Sequence, residues 1–170
     1  MKKRLIIGIF CSALSFSAWP GEIIGNTYIG EKQGYIEIQS PGGKWEIEDR
    51  EGRGYEIAIL RSKEQISNSR PNIHIQGFPM VGDINMENML REMRSSLEKN
   101  GYELGPIEPK RFAGKQVNTY SGRLLGKGVQ IVAYMLQGAK TVFYMQCAAA
   151  ETVIATVKPM CDEVVEKLKY

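Results

Sequence analysis

The chain has 170 residues, with 22 Lys and Arg against 19 Asp and Glu and a single histidine. Lys2, Lys3 and Arg4 account for three of those basic residues, and without them the count is 19 against 19, a net charge of zero. So even a balance excludes the basic surface that nucleic-acid binding needs, and one histidine excludes a His-rich zinc site.

The chain opens "MKKRLIIGIFCSALSFSAWPGE". The basic start, the short apolar run from Leu5 and the small residues Ser15 and Ser17 predict a secretory signal over residues 1–17, cleaved after Ser17 or, second, after Ala18. An uncleaved anchor is disfavoured, because Leu5 to Ala18 is about 14 residues where a span needs about 20. Phe10 before Cys11, inside the apolar run, argues against a lipid anchor. Residues 18–170, roughly 150, suit a single domain with one core. No later stretch is long enough to span a membrane, so no stable membrane span is expected after cleavage.

Between Tyr28 and Phe78, short alternating runs are separated by turn residues. They are "YIEIQ", "WEIE", "YEIAIL" with Tyr55, Ile57 and Ile59 on one face, and "PNIHIQG". These predict antiparallel strands in a meander. "NMENMLREMRSSLEKNG" follows, with Met86, Met89, Leu90, Met93 and Leu97 at helical spacing. Asn85 is its expected N-cap, and Asn100-Gly101 its end. "QVNTYSGRLL", the doubly apolar "VQIVAYMLQ" and "TVFYMQCAA" predict further strands, with "GPIEPK" as a connector before them. In the closing helix Val153, Ile154, Val157, Cys161, Val164, Val165 and Leu168 share a side, and Pro159 predicts a kink or a fresh start. Strands, helix, strands, helix make the fold class α+β, an antiparallel β-sheet packed by two main α-helices.

Several segments together resemble the PsbP-like fold, and within it the DcrB-like bacterial periplasmic proteins. They are "YIEIQSPGGKWEI", the helix end "NGYELG", "FAGKQVNTYSGRL", "VFYMQCAA" and "CDEVVEKLKY". The resemblance implies an α/β/α sandwich used for binding and assembly, with no catalytic residues to carry over. Many bacterial members are lipoproteins, and this chain departs from them in lacking a lipobox.

Candidate chemistry is sparse. His74, between Ile73 and Ile75, should sit exposed on the strand face away from the core. Ser96 and Lys99 match an S-x-x-K spacing, but late in a surface helix and without its companion motifs. "LLGKG" lacks the frame of a phosphate loop. Glu46, Glu48, Asp49 and Glu51 could hold a hard cation, but interleaved Lys44, Arg50 and Arg53 favour a solvated hairpin. No catalytic residue, metal site or cofactor is therefore expected. Met86, Met89 and Met93 are either core filler or a groove for an apolar or helical partner, with a copper site a remote third.

Cys147 and Cys161 could be a staple, a redox pair, part of a metal site or two buried thiols. With Cys11 removed in the signal, two cysteines remain in an oxidising compartment, which favours a disulfide. Cys147 shares a strand face with Phe143 and Met145, and Cys161 a helix stripe with Val157 and Leu168. Closing a loop of about 15 residues should stabilise by roughly 3 kcal/mol on chain-entropy reasoning. The expectation is a non-catalytic periplasmic or secreted binding or accessory protein whose partner is another protein. The alternatives are an immunity or chaperone protein for a secreted effector and, behind it, a small periplasmic hydrolase.

Overall fold

Strands that alternate in polarity need one covered face, and a strand apolar on both sides needs two. The computed structural model, which describes residues 21–66, 68–81 and 85–170, meets both demands. The expected signal segment, with Cys11 and the cleavage site, lies outside the described residues.

One sheet is built from β4 (Trp45–Asp49), β5 (Glu56–Ser62), β6 (Asn72–Pro79), β7 (Tyr102–Leu104), β8 (Glu108–Phe112), β9 (Lys115–Leu124), β10 (Val129–Gln137) and β11 (Thr141–Ala150). It runs β4-β5-β6-β11-β10-β9-β7, every pairing antiparallel, with β8 also paired to β9. Helix α1 (Met86–Lys99) covers one face and α2 (Ile154–Lys167) the other. The central strand β10 shows why it is apolar throughout. Val132, Tyr134 and Leu136 enter the core under α2, and Ala133 and Met135 the core under α1. The chain is thus α+β, an α/β/α sandwich of the expected class.

A second, three-stranded sheet of β1 (Glu22–Ile24), β2 (Thr27–Gly30) and β3 (Ile36–Gln39) lies on the α2 side. Here the structure corrects the sequence reading. "YIEIQ" was expected to lead a meander into "WEIE", but β3 pairs back onto β2, and only β4 to β6 form the meander. Tyr28, Ile36 and Ile38 are fully buried in the α2-side core, so this layer roofs the sandwich rather than extending its sheet. Tyr28 donates to Asp49 Oδ1 at 3.2 Å and so ties the two sheets together.

Three further expectations change. "GPIEPK" is not merely a connector, since Glu108 opens β8. Tyr55, Ile57 and Ile59 do not share a face: a bulge between Glu56 and Ala58 turns Ile57, Ala58 and Leu60 into one core and leaves Tyr55 exposed. Of the two outcomes expected at Pro159, a kink or a fresh start, the fresh start does not occur: α2 begins at Ile154 and runs through Pro159. Pro159 lies on the exposed side, where its missing N–H costs only the bond to the Ala155 carbonyl.

Both helix ends have chemical partners. Asn85 Oδ1 accepts from the Asn88 amide at 2.9 Å, the expected cap of α1. At the other end of the molecule, Lys115 Nζ donates to the carbonyls of Val165 (3.3 Å), Glu166 (3.0 Å) and Leu168 at the close of α2. Those carbonyls would otherwise be orphans at the negative end of the helix dipole. Lys115→Met should therefore lower stability by about 1 kcal/mol, read as a lower Tm; an unchanged melting curve would contradict the assignment.

Candidate functional site

The sheet outgrows α2. Beyond the helix, β9 and β10 continue toward β8, and a groove of about 500 Å³ opens between β8 and α2. Its floor is apolar: Phe112, Val132 and Ile154 line it with the ring of Tyr134, all buried. Its walls are charged. Alternation along β8 puts Glu108, Lys110 and Phe112 on the groove side, and α2 contributes Ala155 and Lys158. Pro109, between two of those positions, has no N–H to offer a further strand at that edge.

The charges are organised. Lys110 Nζ lies 2.8 Å from Glu108 Oε2, and Lys158 Nζ lies 2.5 Å from Asp162 Oδ2. The Tyr134 hydroxyl donates to the other Asp162 oxygen at 2.6 Å. Burial first, and then the neighbouring Asp162 carboxylate, pushes the Tyr134 phenol far above its ordinary range. It is therefore a neutral donor at any physiological pH. Hydrogen bonding from Lys110, with the field of Lys158 from across the groove, holds the Glu108 carboxyl below its usual value.

Cys147 on β11 and Cys161 on α2 lie beneath this helix, fully buried in the same core. Their sulfurs are at disulfide distance, 2.09 Å, with Cα atoms 6.4 Å apart. The pair lies where α2 packs on β11, and α2 forms one wall of the groove. Met86, Met89 and Met93 are elsewhere. They are half-buried on α1, packed against Phe78, Tyr120, Met135 and Tyr144 on the opposite side of the sheet. Their contacts are those of core filler.

His74 faces away from the α2 side, as its position between Ile73 and Ile75 implies, but it is half-buried rather than exposed. Burial, opposed by Glu56 and assisted by Arg61 and Arg50, lowers its pKa. Glu46 and Glu48, two of the four candidate cation ligands, are engaged by arginines: Glu48 by Arg50 at 3.0 Å and Arg61 at 3.5 Å, and Glu46 by Arg70 at 3.2 Å. Ser96 and Lys99 remain on α1. Sequence reasoning assigned none of the groove residues to a site: it placed Ile154 only in the buried stripe of the closing helix and Glu108 and Lys110 only in a connector. Nothing local to that stretch showed what would face it.

No family model and no curated protein matches the sequence. Solved structures do match. One is LpqN, involved in cell envelope biogenesis of Mycobacterium tuberculosis, at 15% identity and TM-score 0.57 over 79% of this chain and 82% of that one. Another is the cyanobacterial PsbP of Synechocystis, at 17% identity and TM-score 0.61 over 91% and 98%. A Pseudomonas aeruginosa protein of unknown function follows at 12% and 0.54, over 86% and 98%. The chain has the PsbP-like fold. Within that PsbP-like sandwich, no described helix is long and apolar enough to cross a membrane.

Two outcomes follow from this geometry. A denatured but unreduced sample should titrate no thiol at Cys147 or Cys161, and replacing both by Ala should cost about 2–4 kcal/mol; two free thiols would contradict the pairing. His74 has a folded pKa below its unfolded value, so its contribution to stability is present above about pH 6.5 and falls as pH drops through that value. His74→Gln should flatten the slope of Tm against pH between about pH 7 and 5; an unchanged slope would assign the slope to other groups.

Proposed function

We propose that this chain is an exported, non-catalytic accessory protein of the PsbP-like type that works by holding a partner protein in the groove between β8 and α2. The observation that carries the reading is the groove itself: a buried apolar floor ringed by charged side chains, at a size typical of binding sites. The residues with conventional catalytic potential do not converge on it. His74 faces the other side of the sheet, and Ser96 and Lys99 sit on α1. That distribution favours binding over hydrolysis.

Export is supported by the basic and then apolar opening of the sequence and by the cysteine pair at disulfide distance. The likeness to LpqN, a protein of cell envelope biogenesis, points the same way. The expected residence is the periplasm, or outside the cell.

A photo-crosslinking residue placed at the exposed lip position Ala155 tests the reading in the native host. The expected result is a discrete protein adduct from Ala155 in the envelope fraction, on a chain whose first residue is Ala18 by mass spectrometry. A label at Arg91 on the far helix should give none. Adducts from Arg91 with none from Ala155 would place the working surface elsewhere.

A further inference from the structure

The three-stranded sheet is fastened to the rest of the molecule by two kinds of contact. Along β3, Glu37 and Lys169 exchange backbone hydrogen bonds, and their side chains form an ion pair at 2.8 Å. Beside β2, the contact is made by polar side chains reaching between β2 with its following turn and the loop that joins β4 to β5. The Tyr28 hydroxyl donates to Asp49 Oδ1 at 3.2 Å, the Lys32 amide to Glu51 Oε1 at 3.3 Å, and the Gln33 side-chain amide to the Gly54 carbonyl at 2.8 Å. The fit is close. A methyl group at Gly30 would stand 2.5 Å from Glu51 Oε1 and 3.0 Å from the Tyr28 hydroxyl oxygen, and one at Gly21 would run into the same hydroxyl.

This second clamp is short of donors. Asp49 Oδ1 accepts from the Glu51 amide at 2.9 Å as well as from Tyr28. Glu51 Oε2 is shut off from water and has no hydrogen-bond partner among the described residues. Two carboxylates therefore share one hydroxyl and two amides, and one of their oxygens holds its charge in a place that solvates it poorly. The groups that face Glu51 are Tyr28 and Lys32 from the β2 side and Asp49 from β4. Arg50, next to it, is drawn to Glu48 at 3.0 Å, and Arg53 is exposed. β1 brings Gly21 against the phenol, and its Glu22 is exposed. Burial raises the Glu51 carboxyl above its ordinary value, with the Asp49 charge adding to it and the Lys32 amide and Tyr28 hydroxyl opposing it.

We infer that this clamp is a pH-sensitive latch: a proton taken up at Glu51 removes the poorly solvated charge, so the three-stranded sheet is held more firmly in acid than at neutral pH.

A carboxyl whose folded value is raised contributes its stability in full below the unfolded value, about 4.3 for Glu, and loses it as pH rises through the folded value. Glu37, held below its usual value by the hydrogen bond from Lys169, has the opposite sign and acts beneath that window. His74 also has the opposite sign, so the test is made in a chain carrying His74→Gln.

Amide hydrogen exchange read by NMR and corrected for intrinsic rates follows the latch between about pH 7 and about pH 4.5. The amides of β2 and β3 should be several-fold better protected at the lower pH. Glu51→Gln should raise their protection at the higher pH and remove most of the dependence, whereas Glu46→Gln on β4 should leave it intact. Carbon-13 NMR of the Glu51 carboxyl in the parent chain gives a second readout that needs no variant, and it should titrate above about 4.3. Titration at or below that value would overturn the latch. So would a raised titration with protection in β2 and β3 that stays flat or falls toward acid. None of these groups lines the groove, so either result leaves the groove reading untouched.

Discussion

The attachment of α2 to the sheet is the constraint on which the remaining architecture rests. Three independent contacts hold it. Cys161 meets Cys147 in the core, Asp162 meets Tyr134 at the groove, and Lys115 closes the last carbonyls of the helix. Around them Val157, Val164, Val165 and Leu168 bury their full side chains. Cys161 and Asp162 are consecutive and point about 100° apart around the axis, and Lys115 acts at the helix end, so together they fix its rotation as well as its distance from the strands. That precision matters because α2 is one wall of the groove, and Lys158 lies between Ile154 on the floor side and Cys161 in the core.

The two faces of the sheet serve different ends. Under α1, methionines and tyrosines fill a small second core, with Tyr120 and Tyr144 sharing a hydroxyl contact at 3.2 Å and Arg94 lying over the Tyr120 ring. On the opposite face, α2 and the three-stranded sheet share the cover, and backbone bonds between Glu37 and Lys169 join the two. The cover stops short of β8, and the groove is what the missing cover leaves open. The groove thus arises where one end of one face of the sandwich is left bare.

Much of this was legible in the residues. The period-3.6 stripe from Met86 to Leu97 with Asn85 before it became α1 with the expected cap. The stripe from Val153 to Leu168 proved buried throughout, and Cys147 and Cys161 met because their shared faces met. What was not legible lay where local pattern carries little information. In β8, "EPKRF", only Phe112 is buried, so no alternation of polarity announces a strand. A bulge at Glu56 to Ala58 resets the inward face of β5, and no residue type there marks it. The assignment of β3 to a separate sheet depends on which neighbour it pairs with, and "YIEIQ" would read the same in either. The groove was hidden for the deepest reason. Its lining comes from β8, β9, β10 and α2, brought together only by the long-range packing of the helix.

Hydrogen exchange on the oxidised and the reduced chain tests most directly whether α2 is held as a separable wall. If the cysteine pair pins the helix, reduction should raise exchange in α2 and at the Phe112–Lys115 turn that its C-terminal end touches, while β10 and β11 keep their protection. Equal exchange in the two states would mean that the pair holds nothing. Loss of protection across the whole sheet would mean that helix and sheet form one indivisible unit, and that the groove has no wall of its own.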